Sequence, residues 1–200
     1  TVKFELEKNL PIASGIGGGS ADAAAALRAM MRLWGDPPGS INGIALQLGA
    51  DVPVCLKKRP SFMTGLGENL RTIPRLPEMH AVLANPGVSV STADVFQRLQ
   101  AGPVEGPDRL PLLPGVETLD RLVAWLEENG NDLEGPAMAI EPVIETVIND
   151  LQATAGCRLA RMSGSGATCF ALYDDPFDSA EAAAALKEKH GNWWVTATRF

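Results

Sequence analysis

The chain is poor in the residues that build metal centres and disulfide frameworks: its 200 residues include two histidines and three cysteines. His80 and His190 lie far apart, so no zinc cluster is spelled out. Cys55, Cys157 and Cys169 are odd in number, scattered and set in apolar surroundings, which argues against a disulfide scaffold and predicts reduced, buried thiols in a cytoplasmic protein. There is no basic excess. Seventeen Lys and Arg face 24 Asp and Glu, giving a net charge of −7, and no Lys/Arg stripe appears, which argues against a nucleic-acid-binding surface. No apolar run approaches the length of a membrane span, and no signal-peptide pattern is present. An initiator methionine is also missing. Thr1-Val-Lys-Phe-Glu-Leu6 alternates like the last strand before a loop, as the middle of a protein would. The remaining composition, 46% hydrophobic and 20% charged, is that of an ordinary globular protein, long enough for one large domain or two small ones.

What is abundant is glycine and alanine in one place. Pro11-Ile-Ala-Ser-Gly15-Ile-Gly17-Gly-Gly-Ser20-Ala-Asp-Ala-Ala-Ala-Ala26 sets a glycine loop immediately before a helix-favouring run. A helix opened in this way leaves its first N–H groups without intrahelical partners. Those groups and the positive end of the helix dipole form an anion site suited to phosphate. The loop is not of the G-x-x-x-x-G-K-[ST] type, since Ser20-Ala21 stands where Lys-Ser would be. Nor does it complete G-x-G-x-x-G, because Ser20 takes the third glycine's place. The plainer alternative is a packing turn, but such a turn does not need three consecutive glycines, each costly in backbone order.

Along the chain, the pattern predicts a strand at 2–6, the loop at 8–19 and a helix from Ser20, as N-cap, to about Trp34. Asp36-Pro-Pro-Gly39 stops that helix. A short helix over 40–48 turns Ile41, Ile44, Ala45 and Leu48 inward, and Pro53 then leads into an apolar strand. Two strands, 61–64 and 69–73, flank Gly65-Leu-Gly67. Proline and glutamate at 74–78 mark a domain boundary. Beyond it come a strand at 79–84, a helix capped by Ser91-Thr92, a Pro/Gly-rich loop at 101–115 and helices at 116–128 and 141–154. Strands at 157–162, 168–173 and 193–198, with a helix at 178–190, complete an antiparallel sheet with helices on one face.

Three groups of residues carry candidate chemistry. Lys8 precedes the glycine loop and is either a phosphate contact or a solvated charge. Asp51, in Gly-Ala-Asp-Val-Pro, is either a capping aspartate or a general base that takes a proton from a hydroxyl. Ser163-Gly-Ser-Gly166 joins two strands, as a turn or as a second set of N–H and hydroxyl donors. Two such loops in one chain favour the second reading, because binding a nucleotide and a phosphate acceptor takes several converging donors.

In this order and at this spacing, these segments resemble the GHMP kinase superfamily, whose nucleotide loop runs P-x-x-x-G-L-G-S-S-A. Here it reads Pro11-Ile12-Ala13-Ser14-Gly15-Ile16-Gly17-Gly18-Gly19-Ser20-Ala21, with Ile16 for the usual leucine and one extra glycine. Leu48-Gly-Ala-Asp-Val-Pro53 is similar to the family's catalytic-aspartate segment, and Asn85-Pro-Gly-Val-Ser-Val-Ser-Thr92-Ala-Asp-Val-Phe96 to its strand–loop–helix beside the acceptor. Met162-Ser-Gly-Ser-Gly-Ala167 resembles its last glycine motif. The triple glycine points to the branch whose acceptor is a diphosphocytidyl-linked polyol. Homoserine, mevalonate and sugar kinases of the same family, and a non-catalytic nucleotide-binding module, are the alternatives.

The resemblance implies an α+β, two-domain architecture: part of an N-terminal ribosomal-protein-S5-like domain over 1–76 and a C-terminal ferredoxin-like α/β sandwich over 77–200. It implies transfer of the γ-phosphate of ATP, with Mg²⁺, to the hydroxyl of a small molecule. Residues Pro11 to Ala21 would wrap the ATP phosphates, with Lys8 beside the nucleotide. Asp51 would deprotonate or orient the acceptor hydroxyl. Thr92 and Phe96 would line the acceptor pocket, and Ser163, Gly164, Ser165 and Gly166 would close the phosphate region. No protein ligand is assigned to the metal, which would accompany ATP near Ser20. The partners implied are ATP and a small molecule, with neither nucleic acid nor membrane; a homodimer is admitted, and the setting is the bacterial cytoplasm. The family pattern also has an N-terminal P-A-K-x-N segment whose lysine pairs with the aspartate, followed by residues that grip the cytidine. Neither is in this chain, so the resemblance implies that the chain does not turn over by itself.

Overall fold

Alanine-rich and amphipathic segments organise the chain into two compact units, one formed by Thr1–Leu10 with Gly17–Arg75 and the other by Pro11–Ile16 with Leu76–Phe200. The structure is a computed structural model and describes residues 2–12, 14–37, 39–73, 75–100 and 115–200. Ala13 and almost all of the 101–115 loop lie outside the described residues.

In the first unit, helices α1 (Gly18–Trp34), α2 (Ile41–Leu48) and α3 (Val52–Lys57) precede a hairpin of β1 (Ser61–Thr64) and β2 (Asn69–Thr72). Ala24 and Leu27 of α1 meet Ala45 of α2 and Val52 of α3, so small residues let the three helices pack closely. Arg28 of α1 donates to the Cys55 carbonyl of α3 at 3.0 Å. The hairpin pairs Ser61 with Thr72 and Thr64 with Asn69, in the register expected around Gly65-Leu-Gly67.

Several expectations for this unit are corrected. Residues 2–6 alternate as a strand does, but Val2, Phe4 and Leu6 are all exposed and no described strand pairs with them. Alternation describes a face, and a strand forms only where its N–H and C=O groups find a ladder. Helix α1 begins at Gly18, and Ser20 is not its N-cap. That position belongs to Gly17, whose φ of +67° is open to glycine and lets the chain enter the helix three residues earlier. Pro53 opens no strand. It sits in the first turn of α3, where its missing N–H costs nothing and its fixed φ suits the helix. Leu48, expected to point inward, is exposed at the end of α2.

In the second unit the order is β3 (His80–Asn85), α4 (Thr92–Leu99), α5 (Leu119–Glu128), α6 (Glu134–Ile140), α7 (Val143–Gln152), β4 (Leu159–Met162), β5 (Cys169–Tyr173), α8 (Pro176–Lys189) and β6 (Trp194–Arg199). The strands form one antiparallel sheet in the order β4-β5-β3-β6. Numbered along this unit, that is second-third-first-fourth, the ferredoxin-like arrangement. Successive residues alternate between the faces. Val82, Ala84, Cys169, Ala171 and Tyr173 join a core with Ile144, Val147 and Leu151 of α7 and Ala182, Ala183 and Leu186 of α8. Ala81, Leu159 and Leu172 face the other way, onto Val123 of α5. Helices thus lie on both faces, because the intervening β3 and β5 residues are as apolar as their neighbours and need cover too. Helix α6 was not expected from the sequence.

Candidate functional site

The glycine loop enters α1 through Gly17, and the first intrahelical bond runs from Ala21 N to Gly17 O at 2.8 Å. The N–H groups of Gly18, Gly19 and Ser20 therefore have no intrahelical acceptor. A Cβ built on Gly19 would meet nothing within 4 Å, so open space fronts this first turn. Lys8 reaches the same turn: its Nζ is 2.5 Å from Asp22 Oδ2 and 3.4 Å from the Cβ position of Gly18. Lys8 is thus an ion-paired cation at the helix entrance, held by a carboxylate that sequence reasoning did not single out.

Asp51 lies in the same unit. It is the N-cap residue of α3, yet its side chain makes no capping bond, and it is exposed. The corner is held by main chain instead: Val52 N donates to Gly49 O at 3.1 Å, and Cys55 N to Asp51 O at 3.1 Å. Gly67 of the hairpin turn packs so closely on Ala50 that a Cβ there would be 2.2 Å from the Ala50 carbonyl oxygen. The Cβ position of Gly49 is 3.9 Å from Ser20 Oγ, so the corner carrying Asp51 abuts the first turn of α1. Burial, with the neighbouring Asp51 carboxylate, pushes the Cys55 thiol up, against a smaller opposing pull from Arg28; this cysteine is not an activated nucleophile.

In the second unit the chain segment Pro11–Ile16 packs against the loop after β4. Ser163 Oγ donates to Gly15 O at 3.0 Å, and Thr168 N to Ser14 O at 3.2 Å. Gly15 has φ +73°, and a Cβ on it would lie 2.5 Å from Ser163 O and 2.7 Å from Gly166 O. Gly164 is likewise 2.9 Å, at its Cβ position, from Gly15 O. Glycine at these places permits two backbones to touch. Ser165 Oγ and Thr92 Oγ1 are 2.8 Å apart, and Phe96 stands one turn after Thr92 on α4 with its ring exposed. The Asn85-Pro-Gly87 segment is tied to the same loop: buried Asn85 donates from Nδ2 to Thr168 Oγ1 at 2.9 Å and accepts from Gly87 N at 2.8 Å.

Ala13 lies outside the described residues, and the other predicted residues divide between the two units. Lys8, Gly17–Ala21 and Asp51 are in the first unit, and Pro11, Ile12, Ser14–Ile16, Thr92, Phe96 and Ser163–Gly166 in the second. Sequence reasoning missed Asp22, Asn131 and Glu134. The last two carry a legible signal, because Asn131-Asp-Leu-Glu134 has the N-x-x-E spacing of a helix start. Among the described residues no group of three or more His, Cys, Asp or Glu side chains is placed to hold a metal ion, and no helix is long and apolar enough to cross a membrane. All three cysteines are free, and Cys169 is fully buried, while Cys55 and Cys157 are only partly so.

Comparison with known proteins matches residues 1–59 to the GHMP kinases N terminal domain and residues 112–192 to the GHMP kinases C terminal domain. A 4-diphosphocytidyl-2-C-methyl-D-erythritol kinase of Parvibaculum lavamentivorans is 54% identical over 95% of this chain and 66% of its own length. The protein of that name from Rhodopseudomonas palustris is 52% identical over 98% of this chain and 69% of its own. The crystal structure of a 4-(cytidine 5'-diphospho)-2C-methyl-D-erythritol kinase superposes with a TM-score of 0.75 at 36% identity, covering 96% of this chain and 68% of the other. A homoserine kinase from Cytophaga hutchinsonii shares the fold at 20% identity and a TM-score of 0.62, with 96% of this chain and 67% of that one covered. The chain spans about two thirds of the length of the curated relatives it matches.

Proposed function

The chain belongs to the GHMP kinase family, and from that premise we propose that it is the nucleotide- and acceptor-binding part of a kinase that phosphorylates the 2-hydroxyl of 4-diphosphocytidyl-2-C-methyl-D-erythritol with ATP. This step belongs to the non-mevalonate isoprenoid route, in the bacterial cytoplasm. In this reading residues 1–76 and 77–200 are the family's two domains. The residues Pro11–Ala21 wrap the ATP phosphates, which take the N–H groups of Gly18, Gly19 and Ser20 and the charge of Lys8. Asp51 takes the proton of the acceptor hydroxyl or orients it, Thr92 and Phe96 line the acceptor pocket, and Ser163–Gly166 close the phosphate region.

The observation that carries this reading is the placement of the Asp51 corner beside Ser20 and the first turn of α1, with the Asp51 carboxylate unspent on capping. A base and a phosphate-binding helix start on one rigid framework supply what phosphoryl transfer needs from a protein, which is positioning and charge stabilisation without a covalent step. In the proposed reaction the acceptor oxygen bonds to the γ-phosphorus, the bond to the β–γ bridging oxygen breaks, ADP leaves, and the hydroxyl proton passes toward Asp51. Among the described residues no three carboxylate, His or Cys side chains converge to hold Mg²⁺: the helix start offers the Ser20 hydroxyl and the Asp22 carboxylate, which is paired with Lys8. The ion would arrive on the nucleotide phosphates, as Mg²⁺ commonly does, and no step is derived through it.

The identity of 47–54% to relatives bearing one name favours this acceptor over homoserine or mevalonate, for whose kinases only a shared fold speaks. The test is ADP release by this chain joined to the N-terminal part of the Parvibaculum lavamentivorans relative, with the diphosphocytidyl compound, homoserine, mevalonate and galactose as acceptors. Turnover is expected with the first alone, and Asp51→Asn should lower kcat by about a hundredfold or more with ATP affinity retained. Full activity in that variant, or preference for another acceptor, overturns the assignment. The 200-residue chain alone should release no ADP, and turnover by it would refute that part of the reading.

A further inference from the structure

We propose that Asn131 is a positioning residue: it clamps the Ser163–Ala167 loop in the place where that loop supports Ser14 and Gly15 of the nucleotide loop. The proposal rests on the kinase reading above. Strand β4 is at the edge of its sheet, so one side of its main chain has no neighbouring strand. At its last residue, Met162, two side chains from the start of α6 stand in for one. Glu134 Oε2 accepts from Met162 N at 2.9 Å, and Asn131 Nδ2 donates to Met162 O at 3.2 Å. The same amide nitrogen donates to Gly164 O at 2.8 Å, inside the glycine loop.

The orientation of the Asn131 amide is determined by its other end. Its Oδ1 accepts from Leu133 N at 3.1 Å, and its own carbonyl accepts from Glu134 N at 2.9 Å. The side chain is therefore anchored at the beginning of α6, with both N–H groups turned toward the loop. Two main-chain carbonyls there need a donor, and a primary amide supplies two N–H groups from one nitrogen. The loop's opposite side makes the contacts already described, Ser163 Oγ to Gly15 O and Thr168 N to Ser14 O. The loop is thus clasped between Asn131 and the nucleotide loop. Loosening the outer clasp would release the inner one.

Asn131→Asp isolates this role. It is isosteric and keeps an acceptor for Leu133 N, so the start of α6 survives, but it replaces the donating NH₂ with an oxygen facing two carbonyls. Amide hydrogen exchange and ATP titration of the 200-residue protein read the consequence. Exchange at Gly166 and Thr168, whose N–H groups bond Ser163 O and Ser14 O, should speed up about tenfold or more, with Val82 and Leu83 of β3 unchanged. ATP should bind about tenfold more weakly while Tm falls by no more than a few degrees, and with the exchange of β3 unchanged this is a combination that a general loss of packing does not produce. If Asn131→Asp does not fold, Asn131→Ala removes the donor without adding charge and is read in the same way. Unchanged loop exchange in the folded variant overturns the clamp. If the unmodified protein binds no ATP but the loop still loosens on substitution, the clamp stands and the kinase reading fails.

Discussion

Replacing Gly15 by alanine would place a Cβ 2.5 Å from the Ser163 carbonyl oxygen, 2.7 Å from that of Gly166 and 3.0 Å from Gly166 N, at a φ of +73°. Neither carbonyl is the far end of a flexible side chain, so one loop must move. The left-handed conformation alone costs a non-glycine residue about 1–2 kcal/mol. Separating the loops also breaks the bonds from Ser163 Oγ to Gly15 O and from Thr168 N to Ser14 O, at about 1 kcal/mol each. The total is about 3–4 kcal/mol, a large share of the stability of a typical domain. Gly17 and Gly19 separate the contributions. Gly17 shares the positive φ, at +67°, but its Cβ would meet nothing within 4 Å, so Gly17→Ala should cost only the conformational part, about 1–2 kcal/mol. Gly19 is helical and its Cβ position is equally open, so Gly19→Ala should be neutral to about 1 kcal/mol stabilising. Its methyl group nonetheless enters the space in front of the first-turn N–H groups, so it should weaken ATP binding without any loss of stability. Urea unfolding by circular dichroism, with ATP titration on the same samples, gives both orders. The reasoning is refuted if Gly15→Ala is no less stable than Gly17→Ala, or if Gly19→Ala binds ATP like the unmodified protein.

Other consequences follow from the titration of buried Tyr173 and partly buried Asp150. Tyr173 is the sole tyrosine, and burial pushes its phenol up to about 12, with its hydroxyl 2.8 Å from Thr154 Oγ1. Its phenolate band should be absent near pH 10–11 while the protein remains folded, and stability should fall from about pH 10 upward, because the unfolded chain releases this proton first; phenolate appearing near pH 10 in folded protein would refute this. Burial favours the protonated form of the Asp150 carboxyl, but hydrogen bonds from Lys189 and His190, at 2.7 Å and 2.5 Å, outweigh it and hold the carboxyl below the usual range. The ionised form therefore stabilises the fold above about pH 4, and that stability is lost as pH falls through the lowered value. Asp150→Asn should flatten this acid limb in thermal melts, and an unchanged slope would count against the pairing.

The helices whose apolar residues recur at helical spacing, and the C-terminal strands, were legible because period and capping are local. Ser91 accepts from Asp94 N and starts α4 as its sequence announces. Asp-Val-Pro53 was misread because a proline in a helix's first turn and one leading a strand look alike until the neighbouring helix α1 is in place. The alternation at 2–6 shows the reverse failure, a strand pattern with no described ladder partner. Lys8, Gly15, Asp51 and Ser163 were legible as candidates by residue type and motif, while Asn131 was passed over because its role depends on Met162 and Gly164, far along the chain.

By itself the sequence determined the chemistry on offer: glycines that open a helix start, a lysine before it, an aspartate at a corner and hydroxyls in a second loop. Only the tertiary structure decided which of these meet. Gly15 and Ser163 are 148 residues apart in sequence and one hydrogen bond apart in space. Local preference sets what each segment can adopt. Close packing of the sheet and its helices sets which backbones come within 3 Å of each other, and there the absence of a Cβ becomes a requirement.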